Sequence, residues 1–230
     1  MKALKADLHI HSNFSDGQLS IKEIVDLYGK NGFDTIAITD HLSEDQNIIG
    51  KVTKSLNLSL TQEKFNSYVK EVRKEKERAR EQYDMNVLFG YEITKNSFYH
   101  NRSCHFLILG LEKYISPNRD VEDILQEARR EGAITIAAHP FDTGDFEFQT
   151  FYLWSRREQL KDLFDAWEVS CRKKISRDVL SSGLPLIASS DFHRPPHLNS
   201  WVTKLFCENT FDDIKKCLAQ QNLDFHYHQI

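Results

Sequence analysis

Apolar runs in this 230-residue chain end, in five places, on or just before a histidine or a carboxylate. The segments are residues 6–17 (ADLHIHSNFSDG), 37–41 (AITDH), 88–94 (LFGYEIT), 135–140 (TIAAHP) and 187–193 (IASSDFH). Short apolar runs rich in β-branched residues read as buried strands. Strands that all turn polar at the same end bring those ends together on one side of a shared sheet. A sixth candidate, His105 in CHFL, opens its run instead of closing it. Imidazole nitrogens and carboxylate oxygens are donors for zinc, manganese and iron. The pattern therefore predicts one metal-dependent hydrolytic site assembled from distant parts of the chain.

Between these runs the pattern turns helical. Ser20 and Glu23 have the spacing of a capping box, Ile21, Ile24, Val25 and Tyr28 form an apolar stripe, and Gly32 can end the helix. A strand over 33–39 completes a strand–helix–strand unit. Residues 43–60 are polar and irregular, and 62–82 read as a long, solvated outer helix with interleaved charges. Strands are expected over 87–93, 105–111, 133–138, 165–169 and 184–189, with one more over 201–207. Helices are expected after Asp120, over 175–182 and from Thr210 to Leu218. Repeated alternation argues for a mostly parallel sheet covered on both faces. An open doubly wound sheet would gather its site at one switch point, whereas the candidates here lie on many strands, so a closed α/β barrel is favoured. The chain carries no repeat and no Pro/Gly-rich linker, and residues 1–230 read as one domain.

Composition narrows the function. A formal charge of −4 argues against a broad grip on extended nucleic acid and leaves room for a nucleotide or short oligonucleotide. No apolar run reaches the ~18 residues of a membrane span. The first residues lack a signal-type apolar stretch, and cleavage there would remove His9, so a cytoplasmic setting is expected. Cys104, Cys171, Cys207 and Cys217 form no C-x-x-C pair and read as reduced, mostly buried thiols.

On a strand, residues two apart share a face, so His9 and His11 can reach one ion, and Asp191 and His193 repeat that spacing. Asp16 sits in the turn after the first pair, as a ligand or as a turn residue. Of Asp40 and His41, which diverge on a strand, His41 is taken as the ligand and Asp40 as a group that orients a neighbour. Glu92, a carboxylate inside an apolar run, needs a compensating partner, and a cation bridged by it is one. His139 closes its run before Pro140. His100, His197, His226 and His228 lack this setting and read as surface or structural.

Together, DLHIHSNFSDG, TDH, YEIT, AHP and SDFH resemble the PHP (polymerase and histidinol phosphatase) superfamily, from Asp7 to His193. The resemblance implies a distorted (β/α)7 TIM-like barrel with two or three divalent ions, zinc, manganese or iron, at its C-terminal face. It suggests one ion on His9, His11, Glu92 and Asp191, a second sharing Glu92 with His105 and His139, and a third on Asp16, His41 and His193. No position of that nine-ligand pattern is substituted. The long segment between His41 and Glu92 departs from the family pattern and bears on substrate class. The pattern looks most like small stand-alone phosphoesterase members.

A phosphate ester is the expected substrate. Three divalent ions less three carboxylates and a hydroxide leave roughly +2, which attracts a small phosphate dianion. The expected reaction is in-line attack on phosphorus by a metal-bridging hydroxide, with Asp16, Glu92 and His193 at its centre. Arg194 and Arg172 are either phosphate clamps or ordinary surface arginines. Residues 141–154 are either a lid or a packed surface loop. The rival readings are an amide-type hydrolase on the same metals, a short-oligonucleotide exonuclease, and a binding module whose metals only staple the barrel.

Overall fold

The computed structural model describes residues 3–98, 102–141 and 150–230. The first half contains Leu4–Ile10 (β1), Ile21–Lys30 (α1), Thr35–Ile38 (β2), His41–Ser43 (β3), Ile48–Ser55 (α2) and Gln62–Tyr83 (α3). Asn86–Lys95 (β4), Cys104–Leu109 (β5), Val121–Arg130 (α4), Ile134–Ala138 (β6), Phe151–Ser155 (α5) and Arg157–Leu160 (α6) follow. The last third holds Ala166–Glu168 (β7), Ser170–Cys171 (β8), Lys174–Ile175 (β9), Arg177–Leu180 (α7), Leu186–Ile187 (β10), Ser200–Leu205 (β11), Phe211–Gln220 (α8) and Leu223–His228 (β12).

The main sheet runs β10-β7-β6-β5-β4-β2-β1-β11-β12, with β3 alongside the end of β4. It curls until its two arms meet. Past β10, Phe192 bridges Ile10 in parallel, with His11 N–H donating to Phe192 O at 2.8 Å and Phe192 N–H to His9 O at 3.1 Å. The result is the expected distorted TIM-like barrel, closed at its rim by the ligand-bearing segments themselves.

β1, β2 and β4 pair in parallel, as do β6, β7 and β10, but between the two groups β5 runs antiparallel to both β4 and β6. This explains why His105 opens its apolar run: reversing the strand brings its first residues to the rim where β4 and β6 end. β4 does not turn just after Glu92 but continues to Lys95, which pairs with Cys104.

The local chemistry follows the sequence. The Ser20–Glu23 capping box is formed, and α1 buries Ile21, Ile24, Val25 and Tyr28. The long helix α3 is charged outside but buries Phe65, Tyr68, Val69 and Val72. The Tyr68 hydroxyl reaches Ile38 O and Gly90 O at 3.0 and 2.9 Å, locking α3 over β2 and β4. One apolar layer packs α1, α3 and α4 on the sheet, and a second gathers Leu8, Ala37, Leu88, Leu107, Ile136 and Ile187 above α8.

Several segments differ from expectation, among them the strand expected over 184–189, which is confined to Leu186–Ile187. Residues 43–60 contain α2, opened by Asn47, whose side chain accepts the Gly50 N–H. The helix expected over 175–182 shrinks to Arg177–Leu180 because Ile175 pairs with Ser170 in the β8–β9 hairpin. After α8 the chain returns as β12, antiparallel to β11. Among the described residues, no helix is long and apolar enough to cross a membrane.

Candidate metal centre

At the closed rim all nine predicted ligands converge. Glu92 is fully buried at the centre. Its Oε1 lies 3.5 Å from His9 Nε2, 3.2 Å from His105 Nδ1 and 3.4 Å from His139 Nε2. Its Oε2 lies 3.5 Å from His11 Nε2 and 2.6 Å from His41 Nδ1. Asp191 Oδ1 approaches His9 and His11 Nε2 at 3.6 and 3.5 Å. Nearer solvent, Asp16 lies 3.6 Å from His41 Nε2 and 3.3 Å from His193 Nε2. Four overlapping donor groups could each hold a cation: His11/Asp16/His41/His193, His9/His11/Glu92, His9/His139/Asp191 and His41/Glu92/His105. His11 therefore faces two of the three suggested ion positions, and His41 stands beside Glu92 as well as Asp16.

The hydrogen-bond pattern tests whether these donors fit metals. Protein oxygens lie at the outer nitrogens of four imidazoles. His9 Nδ1 is 3.0 Å from Glu168 Oε1, and His105 Nε2 is 2.9 Å from Asn96 Oδ1. His139 Nδ1 is 3.2 Å from Thr150 Oγ1, and His193 Nδ1 is 3.0 Å from Asp191 O. The inward atoms tell the opposite story. His9 Nε2, both nitrogens of His11, His105 Nδ1 and both Glu92 oxygens are buried without a hydrogen-bond partner. Unpaired buried polar atoms are costly. Nitrogens fixed outside and free inside are the arrangement of metal-binding imidazoles. The donor set fits divalent cations.

Electrostatics agree. Burial would raise both Glu92 and Asp191, but the surrounding imidazoles hold both well below the ordinary carboxylate range. Burial, helped by His193 and His41, pulls His11 down to about 3. Burial opposes charge on His41, yet Asp16 and Glu92 outweigh it and lift its pKa to about 9.

Local backbone explains how these side chains reach one place. His139 and Asp191 adopt left-handed φ values of 24° and 51°, and Arg172 one of 55°. For non-glycine residues such conformations cost about 1–3 kcal/mol each and persist where the surroundings enforce them. Asp16 rides a turn fixed by Gly17, where a Cβ would fall 2.2 Å from the His11 carbonyl oxygen. Asp40 orients no imidazole. It accepts bonds from the backbone and hydroxyl groups of Ser12 and Ser15, at 2.7–3.0 Å, and so shapes the Asp16 turn.

The arginines lie beside this cavity. Arg172 Nη2 is 3.4 Å from Asp191 Oδ2, and Arg194 Nε donates to His197 Nε2 at 3.0 Å. Both line a neighbouring hollow with Lys173 and Lys174. His197 thus serves as a partner of Arg194, and His228 packs edge-on against Phe33. His100 and positions 142–149 of the segment read as either a lid or a packed surface loop lie outside the described residues.

Sequence reasoning missed Glu168. It is 2% exposed, and besides its contact with His9 it accepts the His139 N–H at 2.8 Å through Oε2. The signal was present: like Glu92, it is an acid within an apolar run, AWEV.

Known proteins share the fold. The chain is similar to a two-domain protein of Bacteroides vulgatus containing a predicted PHP-like metal-dependent phosphoesterase, with TM-score 0.69 and 22% identity over 99% of this chain and 65% of that one. It is also similar to a candidate histidinol phosphatase of Listeria monocytogenes, with TM-score 0.51 and 15% identity over 84% of this chain and 97% of that one. At these identities the likeness concerns the fold. A stretch of 38 residues is 50% identical to the DNA polymerase/3'-5' exonuclease PolX of Bacillus subtilis, covering 16% of this chain and 7% of that protein. The PHP domain family model matches residues 7–223, and the chain belongs to the PHP domain family.

Proposed function

We propose that this protein is a cytoplasmic, single-domain, metal-dependent phosphoesterase that hydrolyses the phosphate ester of a small molecule at two or three divalent ions. The observation that carries the reading is the set of inward nitrogens and Glu92 oxygens buried without hydrogen-bond partners among the described residues. Cys104, Cys171, Cys207 and Cys217, none of them in a disulfide, suit a reducing compartment. The names of the Bacteroides and Listeria neighbours point to the same chemistry.

Bound divalent ions would supply an activated water and positive charge for the phosphoryl oxygens. The chain's own residues do the rest. His9, His11, Glu92 and Asp191 form the floor, His105 and His139 one side, and Asp16, His41 and His193 the mouth. Glu92, with each oxygen facing more than one imidazole, would help hold more than one ion. Asp16 and His193 are the ligands an entering phosphate meets first. Arg172 and Arg194 add positive charge from beside Asp191 and His193. The PolX stretch is too short to carry that protein's exonuclease activity here; a short oligonucleotide would be a variant substrate of the same site.

The test is elemental analysis of the purified protein coupled to phosphate release from a panel of monoesters and diesters, with manganese or zinc added. The reading expects bound metal and release that a chelator abolishes. A protein that binds no metal and is silent across the panel would overturn it.

A further inference from the structure

The segment between β3 and α3 forms one wall of the metal cavity. That cavity holds about 270 Å³. It is lined by the ligands Asp16, His41, His105 and His193 and, from this segment, by Ser43, Thr53 and Leu58. We propose that this wall selects the alcohol half of the ester, and that the favoured alcohol is uncharged and presents an aromatic or extended apolar face to Leu58. The proposal rests on the phosphoesterase reading and names its substrate class.

The wall is built rigidly onto the site. Asn47, which caps α2, donates from Nδ2 to Asn96 O at 2.8 Å, and Asn96 itself pairs with His105. Glu44 N–H donates to Thr94 O at 3.0 Å, and Leu60 N–H to the carbonyl of His41 at 2.7 Å. A Cβ at Gly50 would fall 1.8 Å from Glu44 O, so α2 packs directly on its own lead-in. The segment is therefore tied at both ends to strands that carry ligands.

Its chemistry is one-sided. Leu58 is 39% exposed, and an exposed leucine alone means little. This one lines the cavity that the titratable ligands also line. Among the described residues, no lysine or arginine lines that cavity. Lys54, on the same segment, is held by Asp45 at 2.9 Å. An anionic alcohol would find no cation on this wall and would share the cavity with Asp16. An apolar face would cover Leu58 and the methyl group of Thr53 and release their water.

The test uses manganese-loaded protein and two non-hydrolysable probes, phenylphosphonate and methylphosphonate, titrated calorimetrically. Wild-type protein should favour the phenyl probe. Burying a whole leucine, scaled by the exposed fraction of Leu58, implies that Leu58→Ala lowers the phenyl-to-methyl affinity ratio about 3- to 7-fold. Leu58→Lys should move preference toward phosphonoacetate, which carries a carboxylate. Equal wild-type affinities for the phenyl and methyl probes, or a ratio untouched by Leu58→Ala, would overturn the proposal. The two readings separate cleanly. Phenyl preference that depends on Leu58 in a protein hydrolysing no ester sinks the phosphoesterase reading and keeps the wall. Hydrolysis indifferent to Leu58 does the reverse.

Discussion

Replacing Glu168 with glutamine isolates one idea, that the outer partners of the imidazoles set metal affinity. Glu168 holds two donors at once, His9 Nδ1 at 3.0 Å and His139 N–H at 2.8 Å. A glutamine keeps the shape but offers only one acceptor oxygen, so its amide N–H must face one of the two donors. It also removes the carboxylate that, against the opposing effect of burial, contributes most to raising His9 above its ordinary pKa, and thereby lowers that imidazole's basicity. Loss of such an outer partner typically weakens metal binding 10- to 100-fold, which corresponds to about 1.4–2.7 kcal/mol. The assay is chelator-competition titration of metal-free Glu168→Gln with zinc or manganese, with thermal unfolding in excess chelator as the control for folding. The expected result is a weakened high-affinity step while the chelated variant still unfolds cooperatively. Wild-type affinity within twofold would refute the argument. So would a chelated variant that no longer folds, because Glu168 would then serve the fold and not the metal.

Other predictions probe different parts of the centre. Gly17→Ala pushes a Cβ against the His11 carbonyl, an overpacking cost of about 1–3 kcal/mol, and tilts Asp16 away; thermal unfolding should show the loss, and metal content the displaced ligand. His41, held near 9, is protonated at pH 7.5, so metal binding there must release a proton, read from the buffer dependence of the calorimetric heat; buffer-independent heat would contradict it. In chelated protein the raised pKa means that the stabilisation from the charged His41–Asp16/Glu92 contacts is complete below about 6.5 and is lost as pH rises through about 9, a change on the order of 3 kcal/mol in denaturant titrations. His139→Ala should remove both metal and phosphate release; lost metal with every activity intact would mean the ions only staple the barrel.

Much of this molecule was legible because barrel strands place chemistry at one end. His9 and His11, two apart on β1, and Glu92, an acid among apolar neighbours, announced themselves through period and burial cost. His105 stood apart because strand direction is invisible in a strand's own residues; only its antiparallel pairing with β4 and β6 brings it to the rim. Glu168 obeys the rule that exposed Glu92, yet its short run gave no motif to draw attention. α2 was hidden because its stripe, Ile48, Val52 and Leu56, stays exposed, and its Asn47 cap lies within a polar stretch. β12 alternates weakly and was overlooked after the last helix.

The central claim is that these nine side chains share cations. Crystals of the manganese- or zinc-loaded protein, measured at the metal's absorption edge, test it most directly. The account predicts anomalous peaks between Glu92, Asp191 and the six imidazoles, at ordinary coordination distances of about 2.0–2.2 Å from nitrogen and oxygen donors. Peaks confined to the protein surface, or a cluster that stays metal-free at saturating metal, would contradict it.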